Sequence, residues 1–200
     1  MMQFGGDGSG ESPYADCPQP IGWNTTISAP GMHAETLRHL IDKLISASCI
    51  LDIGTGSGFM TACMAQLAPD NAVVYGVDHI KEINDFARRN IMSICPHLFK
   101  KKKIQLVTQD GRKGLRSYGE RKSLEYDVIH VGGQLNEVDE DEEGESAKAY
   151  VVRSENAARG AGAQDPDDQR KIRIDKDLLN QMAPGGTMYL CTALVAGITF

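Results

Sequence analysis

The chain is poor in aromatic residues, 6% of 200 with a single tryptophan, so its core has to be built mainly from aliphatic side chains. Its five cysteines (Cys17, Cys49, Cys63, Cys95 and Cys191) contain no CxxC pair and leave an odd thiol. That pattern argues against a disulfide framework and against a metal site, and favours structural thiols. No cationic stretch followed by an apolar run opens the sequence, so a secretory signal is not expected. The longest apolar stretch, Cys191–Phe200, has about half of the roughly 20 residues that span a bilayer. A basic excess is missing too. Acids outnumber bases 27 to 21, and seven of the acids fall in residues 137–145 (EVDEDEEGE); elsewhere 21 bases face 20 acids. A body this close to neutral lacks the electrostatic footprint of a nucleic-acid binder. The expectation is a soluble cytoplasmic protein with neither nucleic acid nor membrane as partner. With 41% hydrophobic and 24% charged residues, the composition is that of one ordinary globular domain.

Residues 1–13, rich in Gly and Ser, read as a disordered leader, and residues 14–200 as one domain. Pro13, Pro18, Pro20 and Pro30 punctuate an extended, non-helical segment. Leu37, Leu40, Ile41, Leu44 and Ile45 then repeat at helical spacing, with Pro30 close to the helix start. Strand and helix signals alternate from there: strand Cys49–Ile53, helix Phe59–Leu67, strand Val73–Val77, helix Ile80–Ile94, strands Ile104–Val107 and Tyr126–Val131. This alternation predicts an α/β fold, a mostly parallel sheet with helices on both faces. Residues from Gln134 to about Arg170 break the rhythm with acids and small polar side chains. They read as an acidic, low-complexity, mobile insertion at about 134–170. A helix over Ile174–Met182, a stop at Pro184-Gly185-Gly186 and a fifth strand over Thr187–Cys191 complete the expected fold.

The chemistry concentrates where Leu51-Asp52-Ile53 runs into Gly54-Thr55-Gly56-Ser57-Gly58 at a helix start. Glycine lets a backbone turn sharply and approach a ligand closely, and a helix start adds unsatisfied N–H groups. A dinucleotide fingerprint needs G-x-G-x-x-G; here the glycines are spaced G-x-G-x-G, which disfavours dinucleotides and suits the amino-acid end of S-adenosylmethionine. Asp78, at the end of the second strand, is placed to accept hydrogen bonds from both ribose hydroxyls or to cap the following helix. Asp110-Gly111, after the third strand, could read an adenine edge.

Tyr14-Ala-Asp-Cys-Pro-Gln-Pro-Ile-Gly22, Thr26-Ile-Ser-Ala-Pro30, Met32-His-Ala34, Leu51–Gly58, Gly76-Val-Asp-His-Ile80, Asp110-Gly-Arg112, Asp127-Val-Ile-His-Val-Gly132 and Pro184-Gly-Gly186 together resemble the protein-L-isoaspartate (D-aspartate) O-methyltransferase family. The resemblance implies a Rossmann-like methyltransferase fold and S-adenosyl-L-methionine as cofactor. It implies that Thr25, Thr26, Ile27 and Ser28 form a loop over the active site, with Ser28 at the catalytic position. His33 would lie beside the cofactor; Asp52, Gly54, Gly56 and Ser57 would hold its methionine portion, Asp78 its ribose, and Asp110 with Gly111 its adenine. The implied substrates are isoaspartyl residues of damaged proteins and peptides, methylated on the α-carboxylate as a repair step by a monomeric enzyme. Where the family has His the chain has Gly31, and after Val131-Gly132 the acidic insertion replaces a short small-residue turn. The family's flanking helices and final strands are expected to be missing, as in a domain truncated at both ends. A cofactor- or partner-binding member with impaired turnover is the alternative reading.

On the residues alone, Ser28 could equally cap the helix ahead of Pro30, and His33 and His130 could be structural histidines. A carboxylate acceptor is already an anion at neutral pH, so methyl transfer asks for placement rather than a base. Orientation alone can contribute about 7–11 kcal/mol.

Overall fold

The computed structural model describes residues 12, 14–133, 178 and 180–190. Apart from residue 12, the expected leader lies outside the described residues, as does the insertion at about 134–170. Strands β1 (Gln19–Gly22) and β2 (Thr25–Ile27) form an antiparallel hairpin. Helix α1 (Pro30–Leu44), strand β3 (Cys49–Ile53), helix α2 (Phe59–Leu67), strand β4 (Val73–Asp78), helices α3 (Lys81–Ile94) and α4 (Pro96–Lys100), and strands β5 (Ile104–Thr108), β6 (Tyr126–Val131) and β7 (Met182–Leu190) follow. The main sheet runs in the order β5-β4-β3-β6-β7 with every pairing parallel. The expected α/β architecture is present.

The elements follow from local chemistry. Pro30 occupies the first turn of α1, where its missing N–H costs nothing. Pro96 opens α4 in the same way immediately after α3 ends. Every residue of β3 is buried, Asp52 among its apolar neighbours included, as befits a central strand covered on both faces. Alternation along the strands divides the core. Ile50, Val74, Val128 and Ile104 pack under α1, α2 and α4 with Leu40, Leu44, Met64 and Leu98. Leu51, Val77, Tyr126 and Ile129 face the other way, with Leu115, Leu124 and Leu178. At about 1.5–3 kcal/mol for each fully buried aliphatic or aromatic side chain, the two layers fix the sheet from both sides.

The proline-rich segment is non-helical as expected, and its two strands pair as a hairpin: Trp23 (φ 51°) and Asn24 (φ 57°) make the two-residue turn in the left-handed region. One expectation needs correction. Pro184-Gly185-Gly186 does not stop a helix. Pairing already begins at Met182, opposite Tyr126, and resumes with Thr187 opposite Val128. The residues between bulge out of β7, with Gly185 at φ 78°, and the Tyr126 N–H donates to the Gln181 carbonyl (2.7 Å) to start the ladder. Leu178 is helical, and the rest of the expected helix before Gln181 lies almost wholly outside the described residues. No helix among the described residues is long and apolar enough to cross a membrane.

Candidate active site at the carboxyl ends of the strands

Gly54, Gly56 and Gly58 have φ of 84°, 54° and 83°, values that L side chains rarely adopt. The turn they make is packed from several sides. A Cβ at Gly54 would stand 2.6 Å from the Gly133 nitrogen, and one at Gly58 would stand 2.9 Å from Ile91 Cδ1 of α3. Gly56 differs: its missing side chain leaves space, bounded 3.8 Å away by Ile21 Cδ1 of the hairpin. The hairpin thus roofs the turn, and Trp23 at its tip rests against Phe86 of α3 with ring centroids 6.0 Å apart.

Asp78, nearly buried, reaches this turn from the end of β4. Its Oδ2 accepts from the Gly56 N–H (3.3 Å) and its Oδ1 from the Ile80 N–H (3.2 Å). The acid therefore both braces the glycine turn and serves the start of α3. Each carboxylate oxygen has a second lone pair, and His79 Nδ1 stands 3.5 Å from Oδ1. At the end of β5 a Cβ at Gly111 would meet Ile53 Cγ2 at 2.6 Å, so only glycine fits there. Asp110 stands beside it, but Arg112 takes its carboxylate through both the backbone N–H (3.0 Å) and the guanidinium. Those bonds hold the Asp110 carboxyl down at about 2.

The remaining expected residues separate into those at the mouth and those behind it. Ser28 leaves β2 half-buried, two residues before Pro30. It does not cap α1. The cap position is Ala29 without a side-chain bond, and the Asp16 carboxylate accepts from the Gly31 N–H instead (2.7 Å). That carboxylate fills the room a side chain at position 31 would need, 2.8 Å from either oxygen. Thr25 turns its hydroxyl back to the Gly22 carbonyl (2.7 Å), while Thr26 and Ile27 pair with Pro20 and Gln19. His33 packs its ring on Phe59 at 5.0 Å. Burial, helped by His130 and opposed by Asp52, pushes its pKa down to about 4, so the ring is neutral at physiological pH.

Asp52 does not reach the mouth. Its carboxylate is fully buried behind the turn, bonded to His130 Nδ1 (2.7 Å) and to the Thr61 hydroxyl. Asp52 and His130 are register partners on β3 and β6, and the His130 ring stacks on Tyr189 of β7. Ser57 also points inward, its Oγ near the Phe59 N–H and its carbonyl bonded to Asn90 (3.0 Å). The sequence reasoning missed Asp16, Thr61, Asn84 and Asn90. The two asparagines carried a signal, since they lie on the stripe of α3 marked by Ile83, Ala87 and Ile91. Among the described residues no group of three or more His, Cys, Asp or Glu is placed to hold a metal ion.

The sequence has counterparts among known proteins. The sequence profile of the protein-L-isoaspartate(D-aspartate) O-methyltransferase family matches residues 3–141. The Arabidopsis thaliana protein-L-isoaspartate O-methyltransferase 2 is 43% identical over 130 residues, covering 64% of this chain and 40% of that protein. The Caenorhabditis elegans protein-L-isoaspartate O-methyltransferase is 35% identical over 127 residues, covering 64% and 54%. The chain thus spans about half or less of the length of these relatives. A Plasmodium falciparum chain assigned as a protein-L-isoaspartate O-methyltransferase, solved with S-adenosyl-L-homocysteine, superposes with a TM-score of 0.61 at 26% identity, over 90% of this chain and 67% of that one. With more than half of its residues under the family profile, the chain belongs to the protein-L-isoaspartate(D-aspartate) O-methyltransferase family.

Proposed function

We propose that the chain binds S-adenosyl-L-methionine in the crevice between the Gly54–Gly58 turn and Asp78, and methylates the α-carboxylate of isoaspartyl residues in damaged proteins and peptides. The proposal includes a repair role in the cytoplasm and a monomeric enzyme. The observation that carries it is Asp78 bonded to the middle glycine of a turn held in the left-handed region, with Ile21 of the hairpin beside that glycine. The residues fit the cofactor. Gly56 leaves open the space that a side chain would fill, and Asp78 keeps acceptor capacity for hydroxyls.

When bound, the cofactor supplies an electrophilic methyl on a cationic sulfur. The chain's own residues do the placing. Gly54, Gly56 and the inward-turned Ser57 give the methionine portion a close backbone approach, and Asp78 takes the ribose. Gly111 lets the base come near β5, where Asp110 reads its edge if Arg112 yields. Thr25, Thr26 and Ile27 form the hairpin strand that Ser28 directly follows, and its hydroxyl donates one hydrogen bond that aims a carboxylate oxygen. Neutral His33 lines the site without adding a charge that would repel a sulfonium. Asp52 acts from behind, by fixing the root of the turn. The acceptor arrives as an anion, so no base is needed, and exclusion of water by the roof strengthens each of these contacts.

The test is transfer of labelled methyl to an isoaspartyl peptide beside its normal aspartyl twin. Label is expected on the isoaspartyl peptide alone, and lost in Ser28→Ala. No transfer, or equal labelling of both peptides, overturns the reading.

A further inference from the structure

The inner face of α3 carries two amides where an amphipathic helix would carry hydrocarbon. Asn84 and Asn90 are 5% and 6% exposed, on the same stripe as Ile83, Ala87 and Ile91. Burying an amide without partners costs about 1–3 kcal/mol, so each needs compensation, and the compensation is specific. Asn90 Nδ2 donates to the Ser57 carbonyl (3.0 Å), across 33 residues of sequence. Asn84 Nδ2 faces the Val107 carbonyl (3.0 Å), the Thr108 hydroxyl (3.1 Å) and the Asp78 carbonyl (3.3 Å). Its Oδ1 is buried with no partner among the described residues. One helix therefore ties the turn after β3, the end of β4 and the end of β5, the three places where the crevice is built.

We infer that Asn90 and Asn84 are positioning residues for cofactor binding, through which α3 sets the Gly54–Gly58 turn and the ends of β4 and β5. The inference rests on the proposed function and deepens it. Asn90 acts through the Ser57 carbonyl, and Asn84 through two backbone carbonyls and the Thr108 hydroxyl. The turn is closed by the Gly58 N–H on the Thr55 carbonyl (2.9 Å). Gly58 itself is pressed against Ala87 and Ile91, with a Cβ there 3.1 and 2.9 Å from their side chains. Asn90 holds the carbonyl of the peptide linking Ser57 to Gly58. Without that bond the buried carbonyl is orphaned and the peptide rotates to find a partner. The N–H groups of the turn then lose their alignment.

Asn90→Leu keeps the volume and removes the donor. The expected result is a KM for S-adenosylmethionine raised about tenfold, the size of one orphaned buried carbonyl. The KM for isoaspartyl peptide and kcat at saturating cofactor should stay unchanged. Leu124→Ala, a core truncation at the opposite end of the sheet, should lower Tm without moving the cofactor KM. Asn90→Asp is the second variant. Its carboxylate repels the Ser57 carbonyl, and its protonated form donates to it, so cofactor affinity should recover as pH is lowered. Asn84→Leu should weaken cofactor binding in the same sense. Asn90 variants that lose Tm but keep wild-type cofactor KM, with no recovery at low pH, overturn the inference. A wild-type chain that binds no S-adenosylmethionine refutes the proposed function instead. Hydrogen exchange at the Gly58 amide then decides the inference by itself: faster exchange in Asn90→Leu supports it, and an unchanged rate contradicts it.

Discussion

Gly54→Ala is the substitution whose outcome the structure fixes most tightly. The position has φ 84°, and holding an L residue there costs roughly 1–2 kcal/mol. The new Cβ would lie 2.6 Å from the Gly133 nitrogen and 2.9 Å from its Cα. Both are backbone atoms with no rotamer to yield. Relief requires the chain after β6 to move away from β3, and the Ile53 carbonyl then loses the Gly132 (2.8 Å) and Gly133 (3.2 Å) N–H groups. At about 1 kcal/mol for each bond, the total reaches about 3–4 kcal/mol. For a chain of this size that lowers Tm by on the order of 10 °C. Gly119→Ala is the control, because Gly119 has φ 58° with nothing within 4 Å of a Cβ, and it should show the conformational cost alone. Thermal unfolding of both variants followed by circular dichroism is the assay. Equal losses in the two variants would refute the close approach of β3 and β6 on which the site depends.

His33 has a folded pKa of about 4, below its ordinary value of 6.5, so between these pH values the unfolded chain binds the extra proton. Stability should therefore fall as pH drops from 6.5 towards 4, and His33→Asn should flatten that part of a Tm-against-pH curve; an identical slope would contradict the burial of the ring. Burial pushes the Cys49 and Cys63 thiols up to about 11, so alkylation of the native chain at pH 8 should spare both, and rapid labelling of either by mass spectrometry would count against the packing of β3 and α2. His130→Leu strands the buried Asp52 carboxylate and should cost about 3 kcal/mol, part of which Asp52→Leu in the same chain recovers. Denaturant titration of the single and double variants tests this, and strictly additive losses would show that the two residues are not paired.

The sheet was legible because its signals were local and redundant. Cys49–Ile53, Phe59–Leu67 and Tyr126–Val131 have the same bounds in sequence and structure, since each is a mostly apolar stretch, and glycine follows both strands directly. The Gly54 turn and Asp78 could be paired in advance because parallel strands deliver their ends to one edge. Asp52 shows the limit of a motif: strand alternation puts it on the same face as Ile50, under α2. Trp23-Asn24 hid the hairpin, because its left-handed turn lacks the glycine that usually signals one. Pro184-Gly185-Gly186 gives the same sequence signal as a helix stop or a bulge, and the pairing partner Tyr126 decides between them. Asn84 and Asn90 act through carbonyls distant in sequence, a relation no local pattern encodes.

Calorimetric titration of the full chain with S-adenosylmethionine probes the crevice itself. The account predicts saturable binding to the wild type and affinity at least tenfold weaker in Asp78→Asn, whose amide places a donor where the carboxylate now accepts from Gly56 and Ile80. No binding by the wild type, or the same affinity in both proteins, would contradict it.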